Sequence, residues 1–186
     1  MAKSVLVVLA EGFEEIEAVT PIDVLRRAGL EVTTAGVSQR DVTGAHGIQV
    51  KADLVLGEFK GTPDAVVLPG GMPGAKNLSE SPELARLLAK MNQEGKLIGA
   101  ICAAPALVLS KIGLLDGRKA TCYPSFEKNF SSKTTFSEAR VVRDGHVITS
   151  RGPGSALEFA LELVKELVGP KEAEKLSGVM LTLNPA

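Results

Sequence analysis

The hydrophobic pattern of this chain alternates between two periods. Short β-branched runs, SVLVVLA (4–10), LEVTTAGV (30–37), DAVVLPGG (64–71), KLIGAIC (96–102) and KATCYP (119–124), predict strands. The first and third are apolar almost throughout, the pattern of strands covered on both faces. Between the runs, EEIEAVTPIDVLRRAG (14–29), SPELARLLAKMNQEG (81–95) and AAPALVLSKIG (103–113) carry apolar residues near helical spacing, each ending in a glycine suited to helix termination. This alternation predicts an α/β sandwich on a largely parallel sheet with helices on both faces. In EARVVRDGHVITSRG (138–152) two β-like runs meet at Asp144-Gly145, which predicts an antiparallel hairpin on the sheet's edge. SALEFALELVKELVG (155–169) opens with Ser155 as N-cap and Glu158 three residues on, a capping box, and KEAEKLSGVML adds a short last helix. No internal repeat or low-complexity linker breaks the chain, so residues 1–186 are read as one domain.

Composition narrows the class. At 186 residues, 45% hydrophobic and 23% charged, the chain buries a core without needing a disulfide or a metal. Lys plus Arg number 21 against 22 Asp plus Glu, a formal net charge of -1, with no long block of one sign; that argues against a nucleic-acid footprint. MAKSVLVVLAEGFEE passes from apolar to acidic without a small-residue cleavage site, so it reads as a buried strand rather than a signal peptide or membrane segment. Two cysteines without a secretory signal fit free thiols in a reducing compartment, and the expected location is the cytoplasm.

The candidate chemistry gathers at predicted strand ends, where open α/β sheets bind ligands. Cys102 closes one strand and precedes a predicted helix, whose free N–H groups and dipole would stabilise a thiolate and lower its pKa. A buried core cysteine is the alternative. LPGGMPGA (68–75) follows another strand, and its Gly70-Gly71 pair would let backbone N–H groups approach an oxyanion, with the Ala103 N–H as a second donor. Among the acidic residues after the first strand, Glu11, Glu14 and Glu15 read as solvated carboxylates at a helix N-terminus. Glu17 shares a helical row with Pro21, Val24 and Ala28, so it leans toward the packed face. There it either carries a proton for the thiol or is tied to nearby backbone.

His46 and His146 lie far from these motifs in sequence, which leaves a Cys-His or Ser-His-Asp assignment unsupported. No closely spaced His/Cys/carboxylate cluster suggests a metal, and GGMPGA matches neither a Walker loop nor a dinucleotide fingerprint, so no cofactor is expected. Cys122, inside KATCYP, reads as a small buried hydrophobe.

Taken together, VLVVLAEGFEEIEAVTPIDVLRRAG, VVLPGGMPGAKNLSES, GAICAAPALVL and ITSRGPGSALEFAL resemble the DJ-1 branch of the DJ-1/PfpI superfamily, in that family's order and over nearly the whole length. The resemblance implies a flavodoxin-like sandwich, homodimers, and no metal or cofactor. By its motifs Cys102 is the reactive, oxidation-prone cysteine, Glu17 the acid hydrogen-bonded to it, and Gly71 and Ala103 the amides that hold an oxyanion or sulfinate; Gly70 and Tyr123 shape the substrate site. Peptidase-like members of the superfamily place a histidine after the cysteine, where this chain has Ala103, which argues against a protease. Some DJ-1 proteins carry a histidine where this chain has Tyr123, whose hydroxyl still donates a hydrogen bond. The implied activity is on methylglyoxal and glyoxal, or on their early adducts with proteins and nucleotides, as a glutathione-independent glyoxalase or deglycase. The alternative is a redox sensor or chaperone whose cysteine oxidises to sulfinate.

Overall fold

The fold follows the predicted alternation. A computed structural model describes residues 2–182. The strands run β1 (Ser4–Leu9), β2 (Glu31–Gly36), β3 (Asp41–Thr43), β4 (Gln49–Lys51), β5 (Leu54–Val55), β6 (Ala65–Leu68), β7 (Leu97–Ile101), β8 (Lys119–Ala120), β9 (Thr135–Phe136), β10 (Val141–Asp144) and β11 (Val147–Ser150). The helices are α1 (Glu15–Arg27), α2 (Gly74–Ser79), α3 (Pro82–Gln93), α4 (Ala156–Leu167) and α5 (Pro170–Val179).

Seven strands form the central sheet in the order β10-β11-β7-β6-β1-β2-β5. Every neighbouring pair is parallel except β10 with β11, the edge hairpin that turns at Asp144-Gly145. Side chains alternate across the pleat, so β1 feeds two cores. Val5, Val7 and Leu9 pack with α1 and α4, through Ala18, Val24, Leu25, Phe159 and Leu163. Leu6 and Val8 face the other way, toward Leu78, Leu84, Leu88 and Met91 of α2 and α3. Because both faces are covered, the buried strands are continuously apolar. No helix among the described residues is long and apolar enough to cross a membrane.

From β1 the chain moves outward to β2 and β5, then returns to the other side of β1 as β6 and β7. The loops after β1 and β6 meet at this topological switch point at the carboxyl ends of the strands, where the Glu14 amide donates to the Gly70 carbonyl and the Gly74 amide to the Gly12 carbonyl, both at 3.1 Å.

Several local expectations need correction. KATCYP is a strand only over Lys119–Ala120, which pairs with Thr135–Phe136 in a separate two-stranded sheet; Cys122 and Tyr123 lie in the loop beyond it. The segment 103–113 begins as a helix, the Leu107 amide donating to the Ala103 carbonyl at 2.9 Å, but widens to a π-helix over Pro105–Leu109 before passing into turns. Proline at its first position donates no amide hydrogen, and five residues make a weak dipole. The Ser155 capping box is absent. The Ser155 hydroxyl instead meets the Gly152 amide at 3.1 Å and Ser150 Oγ at 2.7 Å, while Glu158 pairs with Arg140.

Candidate active site

Cys102 directly follows β7 with a φ of +66°, in the left-handed region where residues with a Cβ are uncommon. Holding it there costs about 1–3 kcal/mol, which the surrounding structure must offset. Two backbone hydrogen bonds fix the turn: the Cys102 amide donates to the Ser150 carbonyl at 2.9 Å, and the Tyr123 amide donates to the Cys102 carbonyl at 2.9 Å. The sharp turn sets the sulfur beside the amides of Gly71 and Ala103.

The glycine pair makes this approach physically feasible. A Cβ on Gly70 would stand 2.6 Å from Cys102 Cβ and 2.8 Å from Glu17 Oε2, closer than real contacts allow. Gly71 has a φ of +87°, which glycine adopts without penalty. The tight turn brings its amide to the sulfur.

Glu17 is 0% exposed in the first turns of α1. Its Oε2 accepts from the Gly70 amide at 2.8 Å, while Oε1 is buried without a nitrogen or oxygen partner, and the carboxyl borders the Cys102 thiol. Burial raises its pKa to about 7, the Glu14 charge adds to the rise, and the hydrogen bonds to Gly70 and Cys102 oppose it. One Glu17 oxygen is thus tied to backbone, and the other is buried without a hydrogen-bond partner.

The expected low thiol pKa is not found. Burial pushes the Cys102 thiol up, and the adjacent Glu17 charge pushes it further; the amides of Gly71 and Ala103 pull against both without winning. The helix that follows the cysteine is short and widened to π geometry, so its dipole is weak. A thiol raised in this way is nucleophilic only where a neighbour takes its proton, and the Glu17 carboxyl stands beside it.

Tyr123 lines the rim. It is 44% exposed, with its ring against Gly152 and edge-on to Phe126. Cys122 next to it is wholly buried, its thiol pushed up to about 12 by burial and by Glu127, in keeping with a core role.

Three residues left aside by sequence reasoning also gather here. Glu14 and Glu15 are buried rather than solvated. Glu15 accepts from the amides of His46 at 2.7 Å and Ile48 at 3.4 Å, and His46 Nδ1 lies 2.9 Å from its Oε2 and 3.4 Å from Glu14 Oε2. This is a closely spaced carboxylate and imidazole cluster, contrary to expectation, but its groups already pair with one another and with the loop amides. The one available signal was His46 in a short glycine-flanked loop, GAHGI; nothing local said which surface that loop would meet. His146 lies elsewhere, bonded to Asn92 at 2.8 Å.

Comparison with known proteins agrees with this geometry. A profile of the DJ-1/PfpI family matches residues 3–166. Protein DJ-1 homolog B of Arabidopsis thaliana is 44% identical over 181 residues, 96% of this chain and 41% of the relative. With homolog A at 46%, the chain spans less than half the length of these two plant relatives. The glutathione-independent glyoxalase DJR-1.2 of Caenorhabditis elegans is 40% identical over 176 residues, 94% of each chain. Among solved structures, an oxidized DJ-1 of Toxoplasma gondii superposes with a TM-score of 0.93 at 43% identity, covering 98% of this chain and 100% of its own. The shared strand order, the match over most of the length and these identities lead to one conclusion: this chain belongs to the DJ-1/PfpI family.

Proposed function

We propose that this protein converts small 2-oxoaldehydes such as methylglyoxal to 2-hydroxy acids without glutathione, with Cys102 as nucleophile and Glu17 as its proton partner. The observation that carries the proposal is the convergence beside Gly70 of the cysteine, a buried carboxyl and a backbone amide: a Cβ there would lie 2.6 Å from Cys102 Cβ, 2.8 Å from Glu17 Oε2 and 3.0 Å from the Ala103 nitrogen. As Sγ bonds to the aldehyde carbon, Glu17 takes the thiol proton and the carbonyl oxygen gains it, giving a hemithioacetal. Glu17 then moves a proton from the former aldehyde carbon to its neighbour through an enediol, while the hemithioacetal hydroxyl proton passes to the former ketone oxygen, which gives the thioester of the 2-hydroxy acid. Water cleaves the thioester, restoring the thiol and releasing the acid. Aldehyde and water together equal the product, so no external oxidant or reductant enters. We assign to the amides of Gly71 and Ala103 the stabilising of the oxyanions along this path. The name of the nematode relative supports the same activity. Early adducts of these aldehydes on protein and nucleotide amines are the second substrate class we propose for the site.

Lactate formation from methylglyoxal without glutathione tests this. Wild type is expected to turn over, Cys102→Ser to be inactive, and Glu17→Gln to fall by about 10²–10⁴-fold, the usual contribution of a proton-transferring group. Turnover by Cys102→Ser would overturn the mechanism.

Redox sensing by the same cysteine is favoured by one observation: the two amides that face an oxyanion would equally bind the oxygens of a sulfinate formed with peroxide. A chain that makes no lactate but yields sulfinate at Cys102 after mild peroxide belongs to that class. We further propose a homodimer, supported by exposed Ile16, Val19 and Ile48, which lie together because the Ile48 amide bonds to Glu15 beside Ile16.

A further inference from the structure

Two large apolar side chains left in water stand on either side of Cys102. Strand β7, which the cysteine follows, lies between β6 and β11 in the sheet, so the loops after those two strands flank it. The loop after β6 carries Met72, 50% exposed and one residue on from Gly71, whose amide is beside the sulfur. On the other flank the ring of Tyr123, 44% exposed, packs against Gly152 just beyond β11. The Tyr123 amide donates to the Cys102 carbonyl at 2.9 Å, which fixes this wall beside the cysteine. Single exposed apolar residues are ordinary, whereas a pair that straddles a reactive group is a contact surface.

The Met72 side chain has little room to withdraw. Its backbone neighbours are pressed onto the loop after β1: a Cβ on Gly71 would stand 2.4 Å from the Glu14 nitrogen, and one on Gly12 would stand 2.4 Å from Pro73 Cδ. The Gly74 amide donates to the Gly12 carbonyl at 3.1 Å and the Ala75 amide to the Gly71 carbonyl at 2.9 Å, so the chain is held on both sides of Met72. Consecutive Cα atoms are about 3.8 Å apart, which starts the side chain within its own reach of a group bonded to Sγ. A thioether on a flexible stem adapts to apolar groups of different shape.

We propose that Met72, opposite Tyr123, forms an apolar subsite for the substituent of the electrophile that Cys102 attacks. In a 2-oxoaldehyde RCOCHO the sulfur bonds the aldehyde carbon, and R hangs from the adjoining ketone carbon, next to the sulfur. The subsite selects 2-oxoaldehydes whose R is apolar, with an aromatic R favoured over hydrogen. Met72 touches no reacting atom, so it sets specificity and leaves proton transfer to Glu17. The assignment of R rests on the proposed aldehyde activity; the apolar contact beside Cys102 does not.

The test compares two alkylating agents with the same reacting group, iodoacetamide and N-benzyl iodoacetamide, at one pH, with labelling of Cys102 read by peptide mass spectrometry. Met72→Gln keeps the length of the side chain and removes its apolar surface, and it is expected to lower the ratio of the benzyl rate to the parent rate by about 3–10-fold. Met72→Leu is expected to hold that ratio within about threefold of wild type. A merely structural role would change both rates alike, and the ratio would not move. A fall of less than about threefold in Met72→Gln, or an equal fall in Met72→Leu, would overturn the subsite. With aldehydes, Met72→Gln is expected to lower kcat/KM for phenylglyoxal relative to glyoxal by about 3–10-fold, read as mandelate and glycolate formed. An enzyme that makes neither acid refutes the aldehyde activity and leaves the alkylation result standing. An active enzyme whose phenylglyoxal-to-glyoxal ratio falls by less than about threefold would overturn the assignment of R.

Discussion

Burying a carboxyl that titrates near neutrality has a cost that depends on pH. Glu17 has a folded pKa of about 7 against an ordinary value of 4.5, so between these values the folded state binds the extra proton. Stability therefore falls as pH rises through that window, by about 3 kcal/mol for a shift of this size, and the loss persists above it. Urea unfolding at pH 5 and pH 8 is expected to show this fall in wild type and a much flatter profile in Glu17→Gln. Equal pH dependence in both would mean that the carboxyl is not held protonated. Gly70 is constrained by space: Gly70→Ala would place a methyl 2.6 Å from Cys102 Cβ. Overpacking of this kind costs about 1–3 kcal/mol, and thermal unfolding with iodoacetamide labelling of Cys102 is expected to show both lower stability and slower alkylation. Unchanged labelling would show that the loop does not shape the thiol's surroundings.

The elements were legible in proportion to their length and periodicity. Strands β1, β2, β6 and β7 and helices α1 and α3 follow apolar patterns long enough to outweigh local ambiguity, and Glu17 was placed inward by its row on α1. The failures have local causes. KATCYP is rich in strand formers, but only Lys119–Ala120 find a partner strand, since the Tyr123 amide is committed to Cys102. The Ser155 motif looked like a capping box because spacing shows which bonds are available and not which are made. Its hydroxyl instead braces β11, whose Ser150 carbonyl receives the Cys102 amide. Ser155→Ala is therefore expected to cost about 1–2 kcal/mol through the unpaired Gly152 amide, readable by denaturant unfolding. A neutral result would assign Ser155 no bracing role. The Glu14, Glu15 and His46 cluster was beyond sequence reasoning, because it depends on a loop folding back across α1.

At the scale of the molecule, the order of strands in the sheet decides what meets what. Reversal between β1 and β6 brings the loops that follow them together, and β7 beside β6 delivers Cys102 to the carboxyl carried by α1. The same helix presents Ile16 and Val19 outward beside Ile48. If that face pairs two copies, light scattering is expected to give twice 19.5 kDa, and Ile16→Glu to reduce it to one; a monomeric wild type would dismiss the dimer. The central claim is that the thiol and the carboxyl act as one unit, and the pH dependence of Cys102 alkylation tests it most directly. Above about 7 the ionised Glu17 can take the thiol proton, so the wild-type rate is expected to rise through that pH and again at alkaline pH as the thiol itself titrates. In Glu17→Gln the neutral step is expected to disappear, leaving a single alkaline one. A neutral step that survives in Glu17→Gln would contradict the claim.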